Sequence, residues 1–155
     1  MITVEELAQV DFFKDVPAAL LSALLPHARR VSFPKDAVIL EENQSAEKIY
    51  FLLEGQVAIL LEVSQGRRMI VYTISPNQSF GWSALIQPYI FTAGARCVVP
   101  SEVIEIDGKA LRKLCEEKPE IGYAVMHQLA YIISTRLRNT TLQLINMLEW
   151  EGTTT

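Results

Sequence analysis

Cysteine and histidine are scarce in this sequence, and their scarcity excludes two common ways of stabilising a small protein. Only two cysteines, Cys97 and Cys115, occur among 155 residues, which rules out a disulfide framework. The two histidines, His27 and His127, are too few for a His-rich metal site. Since 50% of the residues are apolar, the chain can build a sizeable hydrophobic core without such aids. We therefore expect one domain, residues 1–155, with no metal and no other cofactor.

Positive charge and long apolar runs are also in short supply. The chain has 14 Lys and Arg against 18 Asp and Glu, a net charge of −4, which disfavours non-specific binding to nucleic acid. The longest uninterrupted apolar stretches, such as residues 57–61, are far shorter than the ~20 residues that span a bilayer. The N-terminus lacks the basic start and apolar core of a signal peptide. These absences predict a cytoplasmic protein that has reduced thiols and does not enter a membrane.

Strand-like segments occupy the middle of the chain, residues 28–106, and helical regions flank them. Residues 1–27 have helical character, with Pro17 suited to a first helical turn and Pro26 at the end of the apolar run. The middle region alternates β-branched or aromatic segments with turn residues, at the roughly 8–12-residue spacing typical of a sandwich or barrel. Those segments are residues 31–33, 37–40, 48–53, 56–63, 67–74, 94–99 and 103–106.

Two helices are predicted after the strands. Asp107 is a suitable N-cap for a short helix within residues 107–118, and Pro119 starts a long helix over residues 119–149, with a tail of residues 150–155. Thirty helical residues, 120–149, would extend ~45 Å. That length exceeds the width of the β domain that the helix has to cover, so part of the helix needs another partner.

Apolar residues recur at helical spacing along the whole of this long helix. We expect one part of the stripe to pack on the β domain and the remainder to pack on the same helix of a second subunit. The alternative is a long helix that packs entirely within one monomer. The predicted homodimer interface comprises Val125, Leu129, Ile133, Leu137 and Leu144.

The order of these elements resembles the cyclic-nucleotide-binding domain family of the Crp/Fnr type, over roughly residues 10–149. Residues 33–39 are similar to the first hairpin of that family, and residues 50–57 to its strand–turn–strand signature, with Gly55 in the turn. Asp36 and Asn43 stand where the family often has Gly, and both residue types tolerate a positive φ. The resemblance implies a mainly β fold with flanking helices, a double-stranded β-helix (jelly roll) followed by a long dimerisation helix.

The chemistry of the family lies in a phosphate-binding cassette, where a Phe-Gly-Glu turn opens a short helix. There the Glu accepts a hydrogen bond from the ribose, and an Arg about ten residues later pairs with the cyclic phosphate. In this sequence Trp82 replaces the Glu and Phe91 replaces the Arg. Arg96 lies an odd number of residues beyond Phe91, so a strand would point it away from the pocket. The cassette scaffold itself matches, at Phe80, Gly81, Ala84 and Leu85.

The long helix carries one more similarity to the family. Thr140 and Thr141 match the hydroxyl residues that contact the base, although both could instead bond back to the carbonyl four residues earlier. The resemblance therefore implies ligand-binding residues of two kinds, in the cassette and on the helix. They are Phe80, Gly81, Trp82, Ser83, Ala84, Phe91, Thr92, Thr140 and Thr141.

These substitutions predict a regulatory domain that senses a small-molecule effector other than cyclic AMP. Trp82 and Phe91 could line a site for a more apolar effector or simply fill the pocket. The alternatives are therefore a ligand-free dimerisation or interaction module, or a weak cyclic-nucleotide binder.

Neither catalysis nor direct DNA binding is expected. His27 and His127 lie outside the strands, so a cupin-type metal site is absent, and Ser83 has neither a neighbouring His nor a nucleophile elbow. Transcription factors of the family carry a winged helix-turn-helix after the long helix, and the six residues 150–155 are too few for one. We expect a signal passed through the homodimer, with another regulatory protein as a possible partner.

Overall fold

The computed structural model describes residues 1–153, with side chains described through Glu149. Within this range eight strands form two four-stranded sheets, of order β1-β8-β3-β6 and β2-β7-β4-β5, and every pairing is antiparallel. The predicted fold class, a jelly roll followed by a long helix, is confirmed. The strands are β1 Ala28–Phe33, β2 Val38–Leu40, β3 Lys48–Glu54, β4 Val57–Ser64, β5 Arg67–Ile74, β6 Ser79–Phe80, β7 Gly94–Cys97 and β8 Ser101–Asp107.

The N-terminal region is helical, as expected, but it is broken into short pieces. Helix α1 is Val4–Gln9, with Thr3 and Glu6 forming a capping box, and α2 is Ala18–Leu21. A 3₁₀ turn, Asp11–Phe13, separates the two helices. The apolar run after Pro17 does not stay α-helical up to Pro26, because it tightens into a second 3₁₀ turn, Ser22–His27, which contains that proline.

Three phenylalanines hold the N-terminal region to the roll. The rings of Phe12 and Phe51 are 5.7 Å apart in an edge-to-face arrangement, and those of Phe13 and Phe51 are 5.2 Å apart. All three side chains are fully buried. Because such aromatic pairs add to the free energy gained by burial, this cluster fixes the 3₁₀ turn Asp11–Phe13 against β3.

Tight turns between the strands follow the predicted chemistry. Asp36 and Asn43 both have φ of 70°, as expected for residues that replace glycine in left-handed turns. Gly55 has φ of 109°, and a Cβ atom there would collide with Ser101 of β8. The turn between β3 and β4 therefore depends on glycine for both its conformation and its close approach.

The two C-terminal helices are α3, Gly108–Glu117, and α4, Pro119–Thr153. The predicted N-cap is confirmed, since the Asp107 side chain accepts a hydrogen bond from the Ala110 amide. Helix α4 continues four residues beyond the predicted end at Glu149, since residues 150–153 contain no proline. The predicted tail is thus helical through Thr153, and its last two residues lie outside the described residues.

One face of α4 packs on α3 and on the 3₁₀ turn Asp11–Phe13. Val125 and Leu129 belong to this face, with exposed fractions of 0% and 3%. Both residues were predicted to lie at the dimer interface. The structure instead buries their side chains in the core of a single chain, where a partner subunit cannot contact them. Gln128 lies on the same face and donates a hydrogen bond to Asp15 at 2.7 Å.

Two kinds of feature can be excluded for the described range. Across residues 1–153, no helix has the combination of length and apolar character that a membrane crossing needs. In the same residues, no group of three or more His, Cys, Asp or Glu side chains is arranged to hold a metal ion.

We predict that Phe51→Ala lowers the free energy of unfolding by about 3–5 kcal/mol, because it empties the centre of the phenylalanine cluster. Met69→Ala, at a side chain that is 54% exposed, is the control and should change stability by no more than about 0.5 kcal/mol. Urea denaturation of both variants checks this, and similar losses in the two would contradict the assignment of the core.

Candidate functional site

The cassette begins where β6 ends, at a left-handed glycine. Gly81 has φ of 78° and precedes a 3₁₀ turn, Trp82–Leu85, that the Ala84 amide closes by donating to the Gly81 carbonyl. A Cβ atom at Gly81 would lie 3.1 Å from the Tyr50 ring and 3.3 Å from a Leu40 methyl group. Both the backbone conformation and the lack of space therefore require glycine at this point.

Helix α3 anchors the far side of the cassette. Arg112 of α3 donates a hydrogen bond to the Ala84 carbonyl, and its guanidinium group lies 4.0 Å from the centre of the Tyr89 ring. Tyr50 and Phe80 stack with ring centres 5.2 Å apart beneath the turn. The cassette is thus held by the roll on one side and by α3 on the other.

A small cavity of about 40 Å³ lies inside the cassette. This volume admits one or a few water molecules and is far below the roughly 300–1,000 Å³ of pockets that hold drug-sized ligands. No residue that lines it carries a charged side chain. The lining residues are Leu40, Ile59, Tyr72, Phe80, Gly81, Trp82, Ser83, Phe91, Thr92, Ala93 and Gly94.

Phe91 and Trp82 are the two residues at which the sequence predicts that the cassette differs from the family pattern. Phe91 is 6% exposed and belongs to the hydrophobic core, while Trp82 is half-buried and packs against that core. The Phe91 amide donates to the Gln44 carbonyl at 2.9 Å, and the Asn43 amide donates to the Phe91 carbonyl at 2.8 Å. These bonds fix the backbone that directs the Phe91 ring inward.

Most of the predicted cassette residues come together at this cavity. Ala84 is the exception, since it is fully buried in the core without lining the cavity. Arg96 is exposed and absent from the lining, as expected, but Phe91 precedes β7, so strand alternation between the two residues is not the reason. The predicted residues that line the cavity are Phe80, Gly81, Trp82, Ser83, Phe91 and Thr92.

The two threonines of α4 do not join the cassette within a single chain. Thr140 and Thr141 are exposed and do not line the cavity. The Thr141 hydroxyl donates to the Leu137 carbonyl at 2.8 Å, which is the alternative that the sequence left open. In this structure Thr141 thus contacts its own helix, and Thr140 lies on the same exposed segment.

Sequence analysis missed Tyr72 of β5 and Arg136 of α4. Tyr72 lines the cavity, and the Arg136 guanidinium group lies 3.9 Å from the centre of its ring. Burial raises the pKa of the Tyr72 hydroxyl, and the charge of Arg136 partly opposes that rise. Strand alternation could have placed Tyr72 on the same face as the buried Ile74, but the contact with Arg136 depends on how α4 crosses the roll.

The two sheets, the left-handed turn at Gly81 and the long helix define a jelly-roll domain of the cyclic nucleotide-binding type. The sequence matches the cyclic nucleotide-binding domain family over residues 30–118, more than half of the chain. The chain belongs to this family, so the resemblance inferred from its turns and cassette scaffold is confirmed.

Relatives of the chain are regulators. The cAMP-activated global transcriptional regulator CRP of Pasteurella multocida is 30% identical over 128 residues, which cover 82% of this chain and 59% of that protein. A CRP-like cAMP-activated global transcriptional regulator of Mycobacterium tuberculosis is 26% identical over 144 residues, 93% of this chain and 62% of that protein. The chain thus spans about six tenths of the length of these curated relatives.

A solved structure of similar extent also matches. It is a candidate cyclic nucleotide-binding protein of Geobacter metallireducens, with a TM-score of 0.79 and 32% sequence identity. The match covers 88% of this chain and 99% of the Geobacter chain. The catabolite activator protein of Thermus thermophilus, at 20% identity, shares the fold with a TM-score of 0.72.

We predict that Gly81→Ala is more damaging than Gly66→Ala, although both glycines have a positive φ. Forcing alanine into this conformation costs about 1–2 kcal/mol at either position. Only at Gly81 would the new methyl group also press on Tyr50 and Leu40, because nothing lies within 4 Å of the Cβ position at Gly66. Chemical denaturation measures both losses, and equal losses would show that the cassette does not depend on this close approach.

Proposed function

We propose that this chain is a regulatory domain of the Crp/Fnr type that does not use cyclic AMP as its effector. The observation that carries the proposal is the neutral wall of the cassette cavity, in which Trp82 and Phe91 take the places of the family's Glu and Arg. A buried phosphate needs a compensating positive charge, because desolvating an unpaired anion is costly. The cavity residues supply none.

The expected loss of affinity follows from the two missing contacts. Hydrogen bonds that involve a charged group contribute about 1.5–3 kcal/mol each. Without the Glu and the Arg, cyclic nucleotides should bind roughly 10²- to 10⁴-fold more weakly than to an intact cassette. Backbone amides of the short turn after Gly81 remain, but they cannot replace both contacts.

A second candidate function is a ligand-free dimerisation module that retains the scaffold alone. The small volume of the cavity, about 40 Å³, favours it. A thermal-shift screen with small apolar ligands separates the two candidates, since a domain with an apolar effector gains stability from a ligand that binds its folded state. A module whose pocket is filled by its own side chains shows no such gain.

We predict that calorimetry detects no micromolar binding of cyclic AMP or cyclic GMP to the full chain. The double variant Trp82→Glu with Phe91→Arg should gain cyclic-nucleotide affinity, because it restores both charged groups on an intact scaffold. Arg96→Gln is the matched control, since Arg96 lies outside the cavity lining and its loss should leave the result unchanged. A dissociation constant of a micromolar or below for the unmodified chain would contradict the proposal.

The proposed regulatory unit is a homodimer that forms through α4. Exposed apolar residues continue along α4 on a side next to its buried face, with Leu137 67% and Leu144 56% exposed. These residues recur along the sequence at intervals of four and three residues in turn, which is the pattern of two helices packed side by side. We call this stripe the α4 seam, and it consists of Met126, Ala130, Ile133, Leu137, Thr140, Leu144 and Met147. Of the interface first predicted, Ile133, Leu137 and Leu144 belong to it.

We predict that Leu137→Asp dissociates the dimer, with at least about 100-fold weaker association, because each subunit would bury a carboxylate in the seam. The matched control is Leu142→Asp on the same helix. Leu142 is also apolar and 48% exposed, but it lies about 140° around the helix from Leu137. Light scattering of both variants checks the result, and a monomeric unmodified chain at tens of micromolar would contradict it.

Regulation rather than catalysis also agrees with the relatives, whose names describe transcriptional regulators. Because the chain spans about six tenths of their length, its own output is part of the proposal. We propose that the dimer acts in the cytoplasm and passes its signal to another regulatory protein rather than to DNA, in agreement with its net charge of −4.

A further inference from the structure

A second depression in the surface lies on the side of α4 that faces the roll. It is bounded by Asp11 of the 3₁₀ turn Asp11–Phe13, by Gln78 and Ser79 at the start of β6, and by α4 around Thr135 and Arg136. We call it the α4 crevice. Its volume is about 200 Å³, and it shares no lining residue with the cassette cavity.

Two opposite charges line the crevice without satisfying each other. Asp11 contributes a carboxylate and Arg136 a guanidinium group, and neither forms an ion pair with any group in residues 1–149. Burial raises the pKa of the Asp11 carboxyl, and Lys14 opposes the rise only in part. The crevice lining therefore contains one carboxylate and one guanidinium group, and the guanidinium group also lies over the Tyr72 ring.

Uncharged polar groups also line the crevice, and one of them, the Ser79 hydroxyl, is unsatisfied. Ser79 is 3% exposed, and its hydroxyl oxygen has no hydrogen-bond partner among the described residues. The Gln78 side-chain oxygen accepts from the Ser75 amide at 2.9 Å, which leaves its NH₂ group available. Thr135 adds a hydroxyl, and no hydrogen bond joins any two of the side chains named here. A buried hydroxyl without a partner is uncommon in folded proteins.

From this arrangement we propose that the α4 crevice binds a free amino acid. The carboxylate of the ligand pairs with Arg136, its ammonium group pairs with Asp11, and its side chain contacts the polar groups between them. An amino acid carries both charges on one small molecule, as the crevice requires. A larger ligand such as a nucleotide exceeds the space, since pockets for drug-sized ligands start at roughly 300 Å³.

The crevice stays accessible in the proposed dimer. Thr135 and Arg136 are two and one residues before Leu137, and they lie about 160° and 100° around the helix from it. The α4 seam is centred on Leu137, so the partner helix would cover the opposite side. Amino-acid binding in the crevice is independent of the proposed cassette function, so an experiment that contradicts one proposal leaves the other standing.

The test is a calorimetric titration of the full chain with L-alanine, L-serine and L-glutamine. We expect at least one of the three to bind with a dissociation constant of about 1 mM or below. Propionate and ethylamine, each of which carries only one of the two charges, should bind at least about tenfold more weakly.

Two variants locate the site. Asp11→Asn and Arg136→Gln should each weaken binding of the amino acid by about 10- to 100-fold, while Arg138→Gln, an exposed residue of the same helix, should not. Circular dichroism checks that each variant is folded. If Arg136→Gln is not folded, the binding measured for Asp11→Asn alone tests the site. Lack of binding by all three amino acids, equal binding of propionate or ethylamine, or undiminished binding in Asp11→Asn would overturn the proposal.

Discussion

The left-handed turn at Gly81 is the constraint on which the cassette depends. Its φ of 78° and its tight contact with Tyr50 direct the next four residues across the mouth of the roll. Arg112 of α3 then holds the end of that turn at the Ala84 carbonyl. Because the backbone is fixed from both sides, the side chains of the turn determine the polarity and charge of the cavity.

Those side chains are aromatic where a charged ligand would need charge. Phe91 is 6% exposed and part of the core, so its ring stabilises the fold at the position where the resemblance predicts a phosphate-binding Arg. Arg136 contacts the ring of Tyr72, which lines the cavity, but Arg136 is not itself a lining residue. On the proposed function, the scaffold of the family is kept while the chemistry of its pocket differs.

Helix α4 connects the roll to the proposed partner subunit. On one side Val125 and Leu129 complete the core of the chain, and farther along the same side Arg136 reaches Tyr72. On a neighbouring side Leu137 and Leu144 are exposed. In the proposed dimer one helix would therefore contact both the core of its own chain and the partner subunit, at neighbouring positions.

Local sequence rules predicted the features that depend on neighbouring residues. The positive φ of Asp36 and Asn43 and the N-cap at Asp107 follow from the chemistry of single residues. Strand β6, Ser79–Phe80, was missed because two residues carry no periodic signal. The faces of α4 were assigned only in part, since a stripe of apolar residues does not show which of them the roll already covers, as Val125 and Leu129 illustrate.

The most direct test of the central claim is an NMR titration of the chain with cyclic AMP, following the Gly81 amide and the Trp82 indole. Both groups lie at the cavity, and the only other tryptophan is Trp150 at the end of α4. We expect neither signal to move at micromolar concentrations of the nucleotide, because the cavity is small and uncharged. A saturable shift of both signals in that range would show that the cassette still binds a cyclic nucleotide.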